Sequence, residues 1–140
     1  MNNQNTTILA KTIYGEARGE YKNSGVNSLI AIGNVVMNRS LKSGKAIAEE
    51  CLKNKQFSCW NKNDPNYKLL QNIGIGDKIY QICLDVASGI VNLEQEDITN
   101  GADHYYSRIM KAPPYWALEK NPTIVIGNHI FFRLGYSGQI

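Results

Sequence analysis

Leu9, Thr12, Ile13 and Glu16 recur at i, i+3, i+4 and i+7, so one helix face carries a carboxylate on an otherwise apolar stripe. Burial there would favour the neutral acid, because desolvation penalises the charged form. A neutral carboxylic acid at working pH can give a proton to a leaving oxygen, which is what glycoside cleavage requires. The competing reading is structural: most glutamates are solvated, and Glu16 would cap the helix or pair with Arg18 or Lys11. Glu20 lies one turn further along the stripe, and two carboxyls can divide acid and base roles. Gly19 stands between them and is expected to end the helix first. A cap or an ion pair is therefore the expected role of Glu20.

A second group is Gln56-Phe57-Ser58-Cys59-Trp60-Asn61. Sugars offer hydroxyls to amides and apolar C–H faces to aromatic rings, so this mixture suits a glycan groove. An ordinary loop anchored by Phe57 and Trp60 would look the same. His104-Tyr105-Tyr106 and Tyr115-Trp116 repeat the chemistry. The candidate substrate-binding set is thus Gln56, Phe57, Ser58, Trp60, Asn61, His104, Tyr105, Tyr106 and Trp116. His104 reads as a hydrogen-bonding residue before a metal ligand, and His129 as one that satisfies a backbone or tyrosine partner.

Three cysteines, Cys51, Cys59 and Cys83, are an odd number with no repeated pair spacing, which argues against a disulfide framework. A Cys51–Cys59 bridge and a Cys59 nucleophile with His104 or His129 are alternatives; a small buried thiol is the simpler reading. The two histidines are far apart and the cysteine spacing does not suit zinc. No metal or other cofactor is expected. Phosphate-cradling glycine loops and a GxSxG elbow are missing.

The elements that must hold these residues follow from pattern. A capping run, Asn5-Thr6-Thr7, precedes a first helix over 7–17. A second spans 24–40, with small Ala31 and Gly33 for close packing. A short helix covers 46–52, and a polar, aromatic-studded loop follows over 53–67. Another helix runs over 77–89, with Gly89 as its C-cap. Two β-prone runs flank Gly127-Asn128 and read as a tight hairpin; residues 102–106 can add a third strand, and 111–116 form a rigid loop. The expected class is α+β, mostly helical with a small antiparallel sheet in the C-terminal third, in one domain over 1–140.

With 140 residues, 43% hydrophobic, 19% charged and a net charge of +3, the chain reads as globular. It is far less basic than a nucleic-acid binder, though mildly suited to an anionic polymer such as a bacterial wall. The polar, uncharged start lacks the marks of a signal peptide, and no run is long enough to span a bilayer. Synthesis in the cytoplasm without stable membrane insertion is expected.

Taken together, these motifs resemble the SleB-type cell wall hydrolases, the spore-cortex-lytic and phage-endolysin family. Ile13-Tyr14-Gly15-Glu16-Ala17-Arg18-Gly19-Glu20 is similar to the opening motif and Asn34-Val35-Val36-Met37-Asn38-Arg39 to the second helix. The run from Gln56 to Asn66 is similar to the middle motif of phage-type members. Gly101-Ala102-Asp103-His104-Tyr105-Tyr106, Pro114-Tyr115-Trp116-Ala117 and Ile126-Gly127-Asn128-His129-Ile130-Phe131 resemble the closing signature.

The resemblance implies a lysozyme-like or lytic-transglycosylase-like fold and cleavage between N-acetylmuramic acid and N-acetylglucosamine in peptidoglycan. The family's essential glutamate carries onto Glu16. Asp103 stands where threonine is commoner, which makes it, beside Glu20, a possible second carboxylate. One carboxyl suffices for a lytic transglycosylase, which forms 1,6-anhydromuramic ends. A hydrolytic muramidase would need a second, and a non-catalytic wall-binding or virion module would need neither. With no signal sequence or wall-binding repeat in view, the expectation is a phage-type endolysin that reaches the wall by a holin-like export route.

Overall fold

The computed structural model describes residues 3–53 and 56–136. Five α-helices come first: α1 (Asn3–Ser24), α2 (Val26–Ser43), α3 (Ile47–Leu52), α4 (Pro65–Asn72) and α5 (Lys78–Val91). A single 3-10 turn, Ser58–Trp60, separates α3 from α4. Three strands follow, β1 (His104–Ser107), β2 (Ile124–Ile126) and β3 (His129–Phe132), with a second 3-10 turn at Tyr115–Ala117. The sheet is antiparallel, in the order β1-β3-β2. The mostly helical α+β class and the Gly-Asn hairpin are as the sequence pattern indicates.

α1 is the central rod, packed against α2, α3 and α5. Leu9, Thr12 and Ile13 of its stripe are wholly buried, among Leu29, Ile32 and Val35 of α2 and Cys83, Ala87 and Ile90 of α5. Burying side chains of this size removes water from about 1.5–3 kcal/mol worth of apolar surface apiece. That is what holds three helices around one axis.

α1 does not stop at Gly19 as expected; it continues to Ser24. A helical glycine costs only about 1 kcal/mol relative to alanine. Beyond it Tyr21 packs on the core and Glu20 is tied to the hairpin, which outweighs that cost. α5 likewise passes Gly89, because Ile90 is a core residue, and Asn92 caps it instead. Residues 53–67 are not one loop. Asp64 accepts a hydrogen bond from the Asn66 N–H at 2.8 Å and Pro65 opens α4. An N-cap aspartate followed by proline is a helix start, and it was legible in the sequence.

Two glycines allow the close approaches that build the site. A Cβ on Gly15 would lie 2.6 Å from Cys59 Cβ, so α1 and the Ser58–Trp60 turn meet backbone to side chain. Gly127 adopts φ +58°, and a Cβ there would lie 2.7 Å from Glu20 Oε1, so the hairpin turn fits against the end of α1 only as glycine. All three cysteines are free and buried. Burial pushes the Cys51 and Cys83 thiols up to about 12 and that of Cys59 higher still. A thiol so held is protonated and closed to substrate, contrary to a nucleophilic role.

Candidate active site

The end of the apolar stripe on α1 opens into a cleft of about 440 Å³. Its lining is Glu16, Gln56, Ser58, Tyr105, Tyr106, Met110, Pro114 and Trp116. Three parts of the chain converge there: α1 supplies the acid, the segment before α4 one wall, and the sheet with its 108–116 loop the other. Glu16 is half-buried, and among the described residues it is the only carboxylate in the lining.

Tyr105 comes to Glu16 from β1. Its hydroxyl donates to Glu16 Oε1 at 2.6 Å. Burial pushes the phenol well above its ordinary value, and the neighbouring Glu16 charge adds to the effect, so Tyr105 stays a donor across the working pH range. The buried Cys59 thiol lies near enough to the same carboxyl for the Glu16 charge to help push it up. Neither Arg18 nor Lys11 pairs with Glu16. Arg18 donates to Asn66 Oδ1 at 2.7 Å and lies over the Tyr14 ring.

The opposite wall is aromatic. Trp116 packs against His104, Tyr106 and Phe132 with ring centroids 5.0–5.9 Å apart, which holds it rigid. His104 stands behind this wall: its Nδ1 is 2.8 Å from Asp103 Oδ1. The structure therefore brings Gln56, Ser58, Tyr105, Tyr106 and Trp116 to Glu16, with Met110 and Pro114 as further lining. The Pro113-Pro114 step before the aromatic pair is the sequence signal for those two.

Besides His104, three candidates lie outside the lining, and a fourth, Gln56, reaches it with its amide committed. Phe57 is 2% exposed, a core residue with the Arg39 guanidinium over its ring, so it faces away from any ligand. Trp60 turns inward, its indole N–H donating to Thr12 Oγ1 at 2.8 Å. Asn61 closes the 3-10 turn through its backbone N–H to Ser58 O and lies outside the lining. Gln56 reaches the cleft, but its amide is held away from ligand: Nε2 donates to Glu50 O and Oε1, and Oε1 lies against the Tyr136 hydroxyl, all at 2.9 Å. It shapes the wall more than it offers hydrogen bonds. The cause is Glu50, a wholly buried carboxylate that also accepts from Ser43 and Tyr136. Burial pushes its carboxyl up, but these hydrogen bonds prevail and leave it below the usual range. Sequence reading missed this network because its members lie on separate segments.

Neither candidate for a second carboxylate faces the cleft. Glu20 accepts from the Asn128 backbone N–H at 3.0 Å and from its side-chain amide at 3.2 Å, pinning the hairpin to α1. Asp103 is wholly buried and accepts from Lys42, His104, and the backbone N–H groups of Leu134 and Gly135 at 2.7–2.9 Å. Burial alone would raise its carboxyl; those partners overcome it and hold it at about 2. A saturated acid of that kind has no spare lone pair for a water nucleophile. His129 also departs from expectation. It is 6% exposed, it meets the Tyr105 ring at 5.2 Å, and its Nδ1 has no hydrogen-bond partner among the described residues. Burial lowers its pKa and favours the neutral ring.

The family model for cell wall hydrolases matches residues 23–132. The chain belongs to the cell wall hydrolase family. It is a peptidoglycan-cleaving enzyme. The match begins after Glu16, so the family model does not itself assign that residue a role. Two solved structures share the fold. One is the catalytic domain of the germination-specific lytic transglycosylase SleB from Bacillus anthracis, with a TM-score of 0.70 and 18% identity over 95% of this chain and 97% of that one. The other is the catalytic domain of SleB from Bacillus cereus, with a TM-score of 0.66 and 18% identity over 94% of this chain and 91% of that one. No curated protein sequence matches. Among the described residues no helix is long and apolar enough to cross a membrane, and no cluster of three or more metal-ligating side chains occurs.

Proposed function

We propose that this cell wall hydrolase cleaves the β-1,4 bond between N-acetylmuramic acid and N-acetylglucosamine as a lytic transglycosylase, with Glu16 as its single catalytic carboxyl. The observation that carries the reading is Glu16 itself: half-buried in the lining of a polar-aromatic cleft, bound to the Tyr105 hydroxyl, with no other carboxylate in that lining among the described residues.

Glu16 gives its proton to the glycosidic oxygen. The bond from the muramic C1 breaks, its electron pair stays on the departing oxygen, and an oxocarbenium-like centre forms at C1. Tyr105 steadies the Glu16 carboxylate left behind. That carboxylate takes the proton of the muramic 6-hydroxyl, O6 closes on C1, and Glu16 is again an acid. No water is consumed. Acid–base help of this kind contributes about a hundred- to ten-thousandfold, and the walls add positioning. Ser58 is exposed and can hydrogen-bond sugar hydroxyls, and Tyr106 and Trp116 offer faces for sugar rings.

The competing muramidase route needs a base to activate water, and Glu20 and Asp103 are both committed elsewhere. A purely wall-binding module would have no use for an acid at the base of its cleft. Mass spectrometry of released muropeptides decides among them: anhydro ends, lighter by one water, support the proposal, and reducing ends refute it. The likeness of residues 56–66 to phage-type members supports an endolysin role. Co-expression with a membrane-pore former, followed by culture lysis, tests that assignment.

A further inference from the structure

We propose that the loop following β1 is a docking lip for the peptide stem of muramic acid, so that the enzyme prefers peptide-bearing strands over bare glycan. This rests on the glycan-cleaving assignment of the same cleft. The loop runs on from the cleft wall, since Met110 and Pro114 line the cleft itself. Its outward side is apolar and uncovered: Ile109 is 76% exposed, Met110 49% and Tyr115 85%. Exposed apolar side chains gathered at the edge of a binding cleft mark an interaction surface.

The charged residues within the loop itself, 108–116, have one sign. Arg108 and Lys111 are exposed and make no ion pair among the described residues. The lip is also preformed. The Arg108 backbone N–H donates to Asn128 O at 2.7 Å and that of Met110 to Ser107 O at 3.0 Å, and Pro113-Pro114 stiffen its far side. A rigid lip loses little entropy on binding.

A strand lying over Glu16 must project its muramic lactyl group, and the peptide amide-linked to it, out of the cleft. That peptide is built of alanines, an acidic residue and a diamino acid, and its carboxylates outnumber its amine. Its methyl groups match Ile109 and Met110, and its carboxylates match Arg108 and Lys111.

Soluble glycan strands free of teichoic acid, offered with their peptides intact or after amidase removal of the peptides, provide the test. Intact strands should be cleaved with a two- to tenfold higher kcat/KM, expressed mainly in KM, as expected for a few exposed charge contacts. The double variant Arg108→Ser, Lys111→Ser should bring that ratio towards one, and so should added salt. Lys111→Glu alone should move it the same way, which guards against misfolding of the double variant. Equal wild-type rates on both strands, or a preference that survives both variants, would overturn the proposal. So would a preference seen only when teichoic acid is retained, because the lip would then read an anionic polymer. Failure to cleave either strand would instead overturn the glycan-cleaving assignment and the lip with it.

Discussion

Two carboxylates of this enzyme, Glu16 and Asp103, sit at opposite extremes of the same chemistry. Glu16 holds the Tyr105 hydroxyl and otherwise opens to the cleft. Asp103 is shut from solvent and takes four donors, one of them a lysine. The first is under-satisfied and accessible, the conditions for exchanging a proton with a ligand. The second is saturated, so its charge ties α2, β1 and the segment after β3 together. Glu20 lies between them: on the same helix as Glu16, it is spent on Asn128. What an acid can do here depends on how many donors the fold aims at it.

Substitutions that swap each carboxylate for its amide sharpen the contrast. Glu16→Gln should lower the rate of muropeptide release by a hundred- to ten-thousandfold with little change in melting temperature. Wild-type lysis by that variant would remove Glu16 from the mechanism. Tyr105→Phe takes away the donor to Glu16 and should reduce kcat about ten- to a hundredfold, the value of a hydrogen bond to a charged group. Glycan affinity, followed by strand-binding titration, should hold.

Asp103→Asn should behave in the opposite way, costing about 2 kcal/mol of stability at neutral pH, read by urea unfolding. The folded carboxyl lies at about 2, below its ordinary 3.8. Its stabilisation is therefore complete above about pH 4 and is lost as the pH falls from there towards 2, and that acid-side slope should flatten in the variant. An unchanged slope would mean that Asp103 is not the buried anchor. The smallest effect is expected of Glu20→Gln, about 1 kcal/mol, because an amide can still accept from Asn128. A loss of activity without loss of stability would return Glu20 to the chemistry.

The sequence by itself settled what local physics controls. The 3.6-residue stripe ending in Glu16 declared a helix face with an acid on it, and Gly127-Asn128 between β-prone runs declared the hairpin. Both depend on neighbours only a few positions apart. The Asp64-Pro65 start of α4 was equally local, though easily read as loop among so many polar residues. Only the tertiary structure decided which candidates face the cleft. Phe57 and Ser58 are adjacent in sequence, yet one is core and the other lines the cleft, because Arg39, contributed by α2, claims the Phe57 ring. Gln56 is held by Tyr136 and Asp103 by Lys42, across 80 and 61 positions. Such partners meet only after burial of the α1 stripe has brought distant segments together, and no short-range pattern encodes that meeting.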